Sequence, residues 1–205
     1  MKIVYVPEKF AVDADAAWRI VADAGAGVLV ISTPSGLSSV FAPVIPSDDR
    51  KTLTSHIARA NPWWRSVEPG TEVLALFLAA SAYVTPSYYP SRDENPNVVP
   101  TWNYVAAEVR GSVTVHAELE WKRDQVTTLT RRFESGRDPE WRVEDLDEHY
   151  RDQQLKAIVG LEIDVLSIEG KAKLSQNRAD VDREYVRDEF AKGSLAERAV
   201  AQRME

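Results

Sequence analysis

The sequence predicts a mainly β fold with helical decorations, of the barrel or sandwich type. Three observations carry this. Short apolar runs separated by turn signals fill residues 25–120. Helical periodicity takes over at about 120–155 and again at 179–205. No internal repeat, low-complexity tract or linker interrupts the chain, so the reading is one domain over 1–205, with a core at 25–120 plus 155–178.

The elements follow in order. Asp13 or Asp15 caps a first helix whose Trp18, Val21 and Ala22 share a face, and Gly25-Ala26-Gly27 stops it. Val28 to Ser32 reads as a buried strand, Pro34-Ser35-Gly36 as a turn, and Leu37 to Ile45 as the next strand. After the polar Asp48 to Lys51, Thr52 to Ile57 fits a third. Val73 to Leu78 is strongly apolar, Ala82 to Thr85 follows, and a loop rich in proline and tyrosine comes next. Val98 to Val109 predicts a long strand, with Gly111 turning into Ser112 to Val115. Trp121 to Phe133 has helical spacing at Val126, Leu129 and Phe133, and Val143 to Ile158 is expected to be helical. Ile158 to Ile168 returns to strand, and Asp180 to Arg203 is a highly charged helix.

Composition narrows the function. At 44% hydrophobic and 28% charged, the chain reads as an ordinary globular protein, and no apolar run approaches a membrane span. Met1 to Glu8 lacks a signal-peptide core, and with no cysteine the expectation is cytoplasmic residence without disulfides. His56, His116 and His149 lie far apart, so no metal site is expected. Duplex DNA asks for a basic face, whereas the net charge here is −7, and no helix-turn-helix pattern is present. Direct DNA binding is the poorer reading.

Four segments concentrate polar and aromatic groups. Ser55 to Arg65 (S-H-I-A-R-A-N-P-W-W-R) offers donors suited to a phosphate, or a helix cap at Asn61 beside a solvated arginine. Ser55 and His56 are adjacent on a strand and point to opposite faces, so they are not a nucleophile–base pair. Tyr83 to Arg92 suits a flat, polar-edged ligand or a rigid proline loop. In Val99 to Tyr104, Trp102 and Tyr104 share one face, Thr101 and Asn103 the other. Gly170 to Arg178 holds Lys171, Lys173 and Arg178, the densest basic stretch in an acidic chain, readable as a solvated turn or an anion site. No P-loop, G-x-S-x-G or G-x-G-x-x-G is present, and no catalytic residue is assigned.

In order, H-I-A-R-A-N-P at 56–62, Y-V-T-P-S-Y-Y-P-S-R at 83–92, V-P-T-W-N-Y at 99–104 and G-K-A-K-L-S-Q-N at 170–177 resemble the conserved blocks of the PaiB-type FMN-binding negative transcriptional regulators. Tyr5-Val6-Pro7…Phe10 and Ile158 to Ile163 also fit. The resemblance implies an FMN-binding split β-barrel of the pyridoxamine-phosphate-oxidase type, and a homodimer with the flavin at the subunit interface. It places His56, Arg59 and Asn61 around the phosphate and ribityl chain, and Arg92 where the family has lysine. Trp102 and Asn103 line the pocket, and Lys173, Ser175 and Gln176 reach it from the C-terminal segment.

The chain departs from the family at Val40-Phe41, in place of a Thr-His pair, at Ala107-Glu108 and at Ala79-Ala80. The altered strand leaves heme as an alternative ligand. The implied function is negative regulation through flavin or metabolite sensing. The alternatives are a flavin-dependent oxidoreductase on a small molecule, or a repurposed barrel acting without flavin.

Overall fold

A computed structural model describes residues 5–205; of the N-terminal stretch read above, Met1–Val4 lie outside the described residues. The strands are β1 (Ala11–Val12), β2 (Ala26–Thr33), β3 (Gly36–Pro46), β4 (Thr52–Ala58), β5 (Glu72–Val84), β6 (Thr101–His116) and β7 (Ile158–Lys173). The helices are α1 (Ala14–Ala24), α2 (Leu119–Glu134), α3 (Glu148–Lys156), α4 (Asp180–Lys192) and α5 (Leu195–Ala201). The strand order is β1-β7-β4-β3-β2-β5-β6, and β6 also pairs with β7, as closure of a barrel requires. The chain divides into two compact units.

One unit comprises Gly25–Ala75 and Val109–Ser167. Here β2 and β3 form a hairpin in register from Ala26↔Pro43 to Thr33↔Gly36, and β4 runs antiparallel to β7 from Thr52↔Asp164 to Ala58↔Ile158. Alternation puts Leu29, Ile31, Leu53, Ile57, Leu161 and Ile163 in the core. Gly111 is not a turn: it lies inside β6, where an added Cβ would sit 2.2 Å from Asp164 O. It is glycine because another backbone approaches, which is why the expected break is absent.

The α2 face also differs from its apolar spacing. Lys122 and Gln125 are the buried residues of this helix, while Phe133 is 47% exposed. The helix expected over 143–158 is divided. Val143–Asp145 forms a 3₁₀ turn, and Asp147 Oδ1 then caps α3 by accepting from Tyr150 N at 3.0 Å.

The other unit comprises the chain up to Ala24, Leu76–Glu108 and Ile168–Glu205. Asp13 Oδ1 accepts from Ala16 N at 2.7 Å, and α1 buries Ala17, Trp18, Ile20 and Val21. β5 is one strand rather than two, but its inward positions change from odd (Val73, Ala75, Phe77) to even (Ala80, Ala82, Val84). The slip falls between Phe77 and Ala80, at Leu78-Ala79. The charged C-terminal helix is likewise two. Gly193 ends α4, and Ser194 with Glu197 forms a capping box that starts α5. The Ser194 hydrogen bonds hold the Glu197 carboxyl below the ordinary glutamate range.

Candidate functional site

The end of β4 places His56, Arg59 and Asn61 together, with most of their polar groups engaged. His56 is half-buried on β4 opposite Gly160, and its Nδ1 lies 2.9 Å from Gln125 Oε1. Burial pushes its pKa below the ordinary histidine value, and the Gln125 bond opposes this. As an acceptor, the amide oxygen favours the Nδ1–H tautomer, leaving Nε2 able to accept. Neighbouring Ser55 is fully buried, and its Oγ donates to Pro43 O at 2.6 Å, on the opposite face from His56.

Arg59 turns toward the C-terminus of α3. Nε donates to Lys156 O at 2.8 Å, Nη2 to Ile158 O at 3.4 Å, and the Arg59 amide to Ala157 O at 2.8 Å. A guanidinium on terminal helix carbonyls satisfies otherwise orphaned acceptors and complements the helix dipole. Asn61 Oδ1 accepts from Trp63 N at 3.0 Å and caps the 3₁₀ turn Pro62–Ser66. Both residues thus hold local backbone.

In the other unit, β6 and the end of β7 bring Thr101, Trp102, Asn103, Lys173 and Ser175 together. Asn103 and Ser175 are fully buried and hydrogen-bond reciprocally at 3.0 and 3.1 Å. Ser175 adopts φ 64° just past β7. Gln176 closes that turn: its Oε1 accepts from Leu174 N and its Nε2 donates to Ala172 O, each at 2.6 Å. Lys173 lies on β7 itself, which runs through the segment expected as a turn, and its Nζ makes a very short hydrogen bond to Thr101 Oγ1.

Three cations gather here, and their contacts among the described residues are ring faces, a hydroxyl and backbone carbonyls. Lys171 lies over the rings of Tyr5 and Tyr104, at 5.9 and 5.4 Å. Arg178 lies 4.3 Å over Tyr89 and donates to Val99 O at 3.2 Å. Desolvation lowers the Lys173 pKa; Tyr104 opposes this, and the nearby charges of Lys171 and Arg178 push it down. Beside them Trp102, 54% exposed, meets Tyr83, 48% exposed, edge-to-face at 6.2 Å. Arg92 is exposed on the 3₁₀ turn Pro90–Asp93. On the altered strand β3, Val40 is buried and Phe41 is 71% exposed, so of that pair Phe41 presents the apolar surface.

Several buried polar groups escaped the sequence reading. Asp182 accepts from Ser91 N at 3.0 Å and Ser91 Oγ at 2.7 Å, tying α4 to the tyrosine loop. Lys122, 1% exposed, donates to Ile158 O at 3.4 Å; burial and then the Arg59 charge lower its pKa. Gln125, which fixes His56, also lines a cavity of about 390 Å³ with Trp121, Thr54 and Thr128. In sequence each is a polar residue on a charged helix, with no signal separating it from solvated neighbours.

The fold is a split β-barrel, and the chain belongs to the family described as "Putative FMN-binding domain", which matches residues 4–167. Among its relatives is the Protease synthase and sporulation protein PAI 2 of Bacillus subtilis (strain 168). The two are 32% identical over 182 residues, covering 87% of this chain and 85% of that protein. The fold is shared with the FAD and heme binding protein from Mycobacterium smegmatis, at TM-score 0.62 and 18% identity over 92% of this chain and 82% of that one. It is shared too with the flavocytochrome Anf3 from Azotobacter vinelandii, at TM-score 0.61 and 8% identity over 90% and 80%. No described helix is long and apolar enough to cross a membrane. Among the described residues no group of three or more His, Asp or Glu is placed to hold a metal ion.

Proposed function

We propose that the chain binds FMN as a homodimer and regulates through flavin state or a small metabolite. The observation that carries this is the Lys171, Lys173 and Arg178 cluster, whose partners are ring faces, a hydroxyl and backbone carbonyls, in a chain of net charge −7. Gathering like charges costs free energy that a bound anion offsets. A phosphate dianion suits this donor set, with Lys173 and Thr101 as its first contacts.

Trp102 offers a ring face to the isoalloxazine, and the Asn103–Ser175 pair holds the turn that presents Lys173. Gln176 acts as a positioning residue through the backbone it holds, and Arg92 adds an exposed cation. FMN supplies redox chemistry when bound. Leu78, Tyr83, Val99 and Trp102, all substantially exposed, suit burial against a second copy. FMN is favoured over heme because the family model that matches residues 4–167 is described as FMN-binding.

Regulation is indirect on this reading, since the acidic chain is poorly suited to duplex DNA. Purified protein reconstituted with FMN is expected to show flavin absorbance, and a low-salt gel shift to show no retardation. Rapid flavin reduction by NAD(P)H would favour the oxidoreductase alternative. Protein that takes up no FMN would remove both readings.

A further inference from the structure

We infer that the α2–α3 region carries a second ligand site, for a small molecule with an apolar ring and one carboxylate. A cavity of about 320 Å³ is lined by Val126, Trp141, Val143, Leu146, Tyr150 and Leu155, with Arg151 and Gln154 at its polar side. Val143 and Arg151 also line a second cavity of about 310 Å³, whose other residues include Arg123, Thr127, Thr128 and Arg131. An apolar chamber thus adjoins a polar one at Arg151. These volumes lie at the small end of the range for ligand pockets.

The donors at the junction specify the charge. Arg123 Nε and Arg151 Nε are both buried and make no hydrogen bond. The two guanidinium groups share one close carboxylate, Asp152, at 3.3 Å from Arg123 Nη2 and 4.0 Å from Arg151 Nε. Glu148 stands 3.8 Å from Arg151 but is 80% exposed. Of the other charges lining the polar cavity, Arg131 and Glu144 pair with each other at 2.5 Å, and Asp124 is exposed on α2.

Arg123 and Arg151 face Asp152, with Glu148 at the solvent edge, and their two Nε–H donors are left without a hydrogen-bond partner. Such donors are costly to leave unmade, and a carboxylate is the acceptor a guanidinium pairs with most strongly. Trp141 and Tyr150, 47% and 51% exposed, flank the apolar chamber and supply ring faces. The occupant is therefore an aromatic monocarboxylate of modest size. The site lies in one unit and uses none of the residues assigned to flavin.

The test is ¹H–¹⁵N spectroscopy of the full chain titrated with phenylacetate and, separately, 2-phenylethanol, reading the indole peak that Trp141→Ala deletes. Phenylacetate is expected to shift that peak and to bind about tenfold more tightly than the alcohol. Arg151→Gln is expected to abolish the preference while leaving alcohol binding within about twofold. If that variant does not fold, Arg123→Gln makes the same comparison. No shift at Trp141 up to about 10 mM phenylacetate, a range that still detects millimolar binding, would overturn the assignment. So would equal binding of acid and alcohol, or a preference that survives the arginine substitution. None of these readouts depends on flavin content.

Discussion

Asn103 and Ser175, 72 residues apart, satisfy one another in both directions in a fully buried setting, the amide donating at 3.0 Å and the hydroxyl at 3.1 Å. The pair fastens the turn after β7 to β6 beside Lys173. Among the described residues, Asn103 Nδ2 has otherwise the Met204 sulfur at 3.9 Å. Ser175→Ala therefore strands a buried amide, with an expected loss of about 1–3 kcal/mol in urea denaturation. Ser175→Gly is expected to lose less, because glycine is at ease at φ 64°. Equal losses in the two variants would contradict this reading.

Gly111→Ala is expected to destabilise by about 1–3 kcal/mol or more, since the new methyl meets a backbone carbonyl that cannot turn aside. Its Cβ would lie 2.2 Å from Asp164 O and 2.7 Å from Ile163 Cγ2. A thermal melt unchanged from wild type would show that β6 is not held this closely.

His56 predicts a pH effect. Its folded pKa is lowered by burial, so between the folded and unfolded values the unfolded chain binds more protons. Its contribution to stability is complete above the ordinary histidine value near 6.5 and is lost as pH falls toward the folded value. Denaturation midpoints from about pH 7 to 5 are expected to fall less in His56→Gln than in wild type. Parallel curves would remove His56 as the cause.

Lys122 is buried in a charged form whose pKa is lowered, so at neutral pH its desolvation weakens the fold. Lys122→Met is expected to raise stability by on the order of 1 kcal/mol. The gain should shrink at high pH, where the wild-type amine sheds its charge on folding. A loss at neutral pH would mean that the 3.4 Å bond to Ile158 O outweighs the buried charge.

The strands were legible because apolar alternation records which side of a sheet meets the core, as in β2 and β4. Gly111 misled because glycine marks both turns and close backbone approach, and only the facing strand decides between them. The helices expected over 143–158 and 180–203 broke where Asp147 and Ser194 cap, and capping competes locally with continuation. The ordered blocks located the candidate residues without dividing their labour. Arg59, Asn61 and Gln176 turn to backbone groups in their own neighbourhoods. Lys173 stays among cations and neutral groups, a difference set by packing that no single block records.

The most direct test of the flavin assignment compares FMN with riboflavin, which lacks only the phosphate, on the full chain and on Lys173→Gln. FMN is expected to bind with flavin absorbance and fluorescence quenching, at least about tenfold more tightly than riboflavin, as a charge-assisted phosphate contact requires. Lys173→Gln is expected to weaken FMN by about that factor and to leave riboflavin unchanged. Equal affinity for the two flavins, or an FMN affinity indifferent to Lys173, would contradict the account.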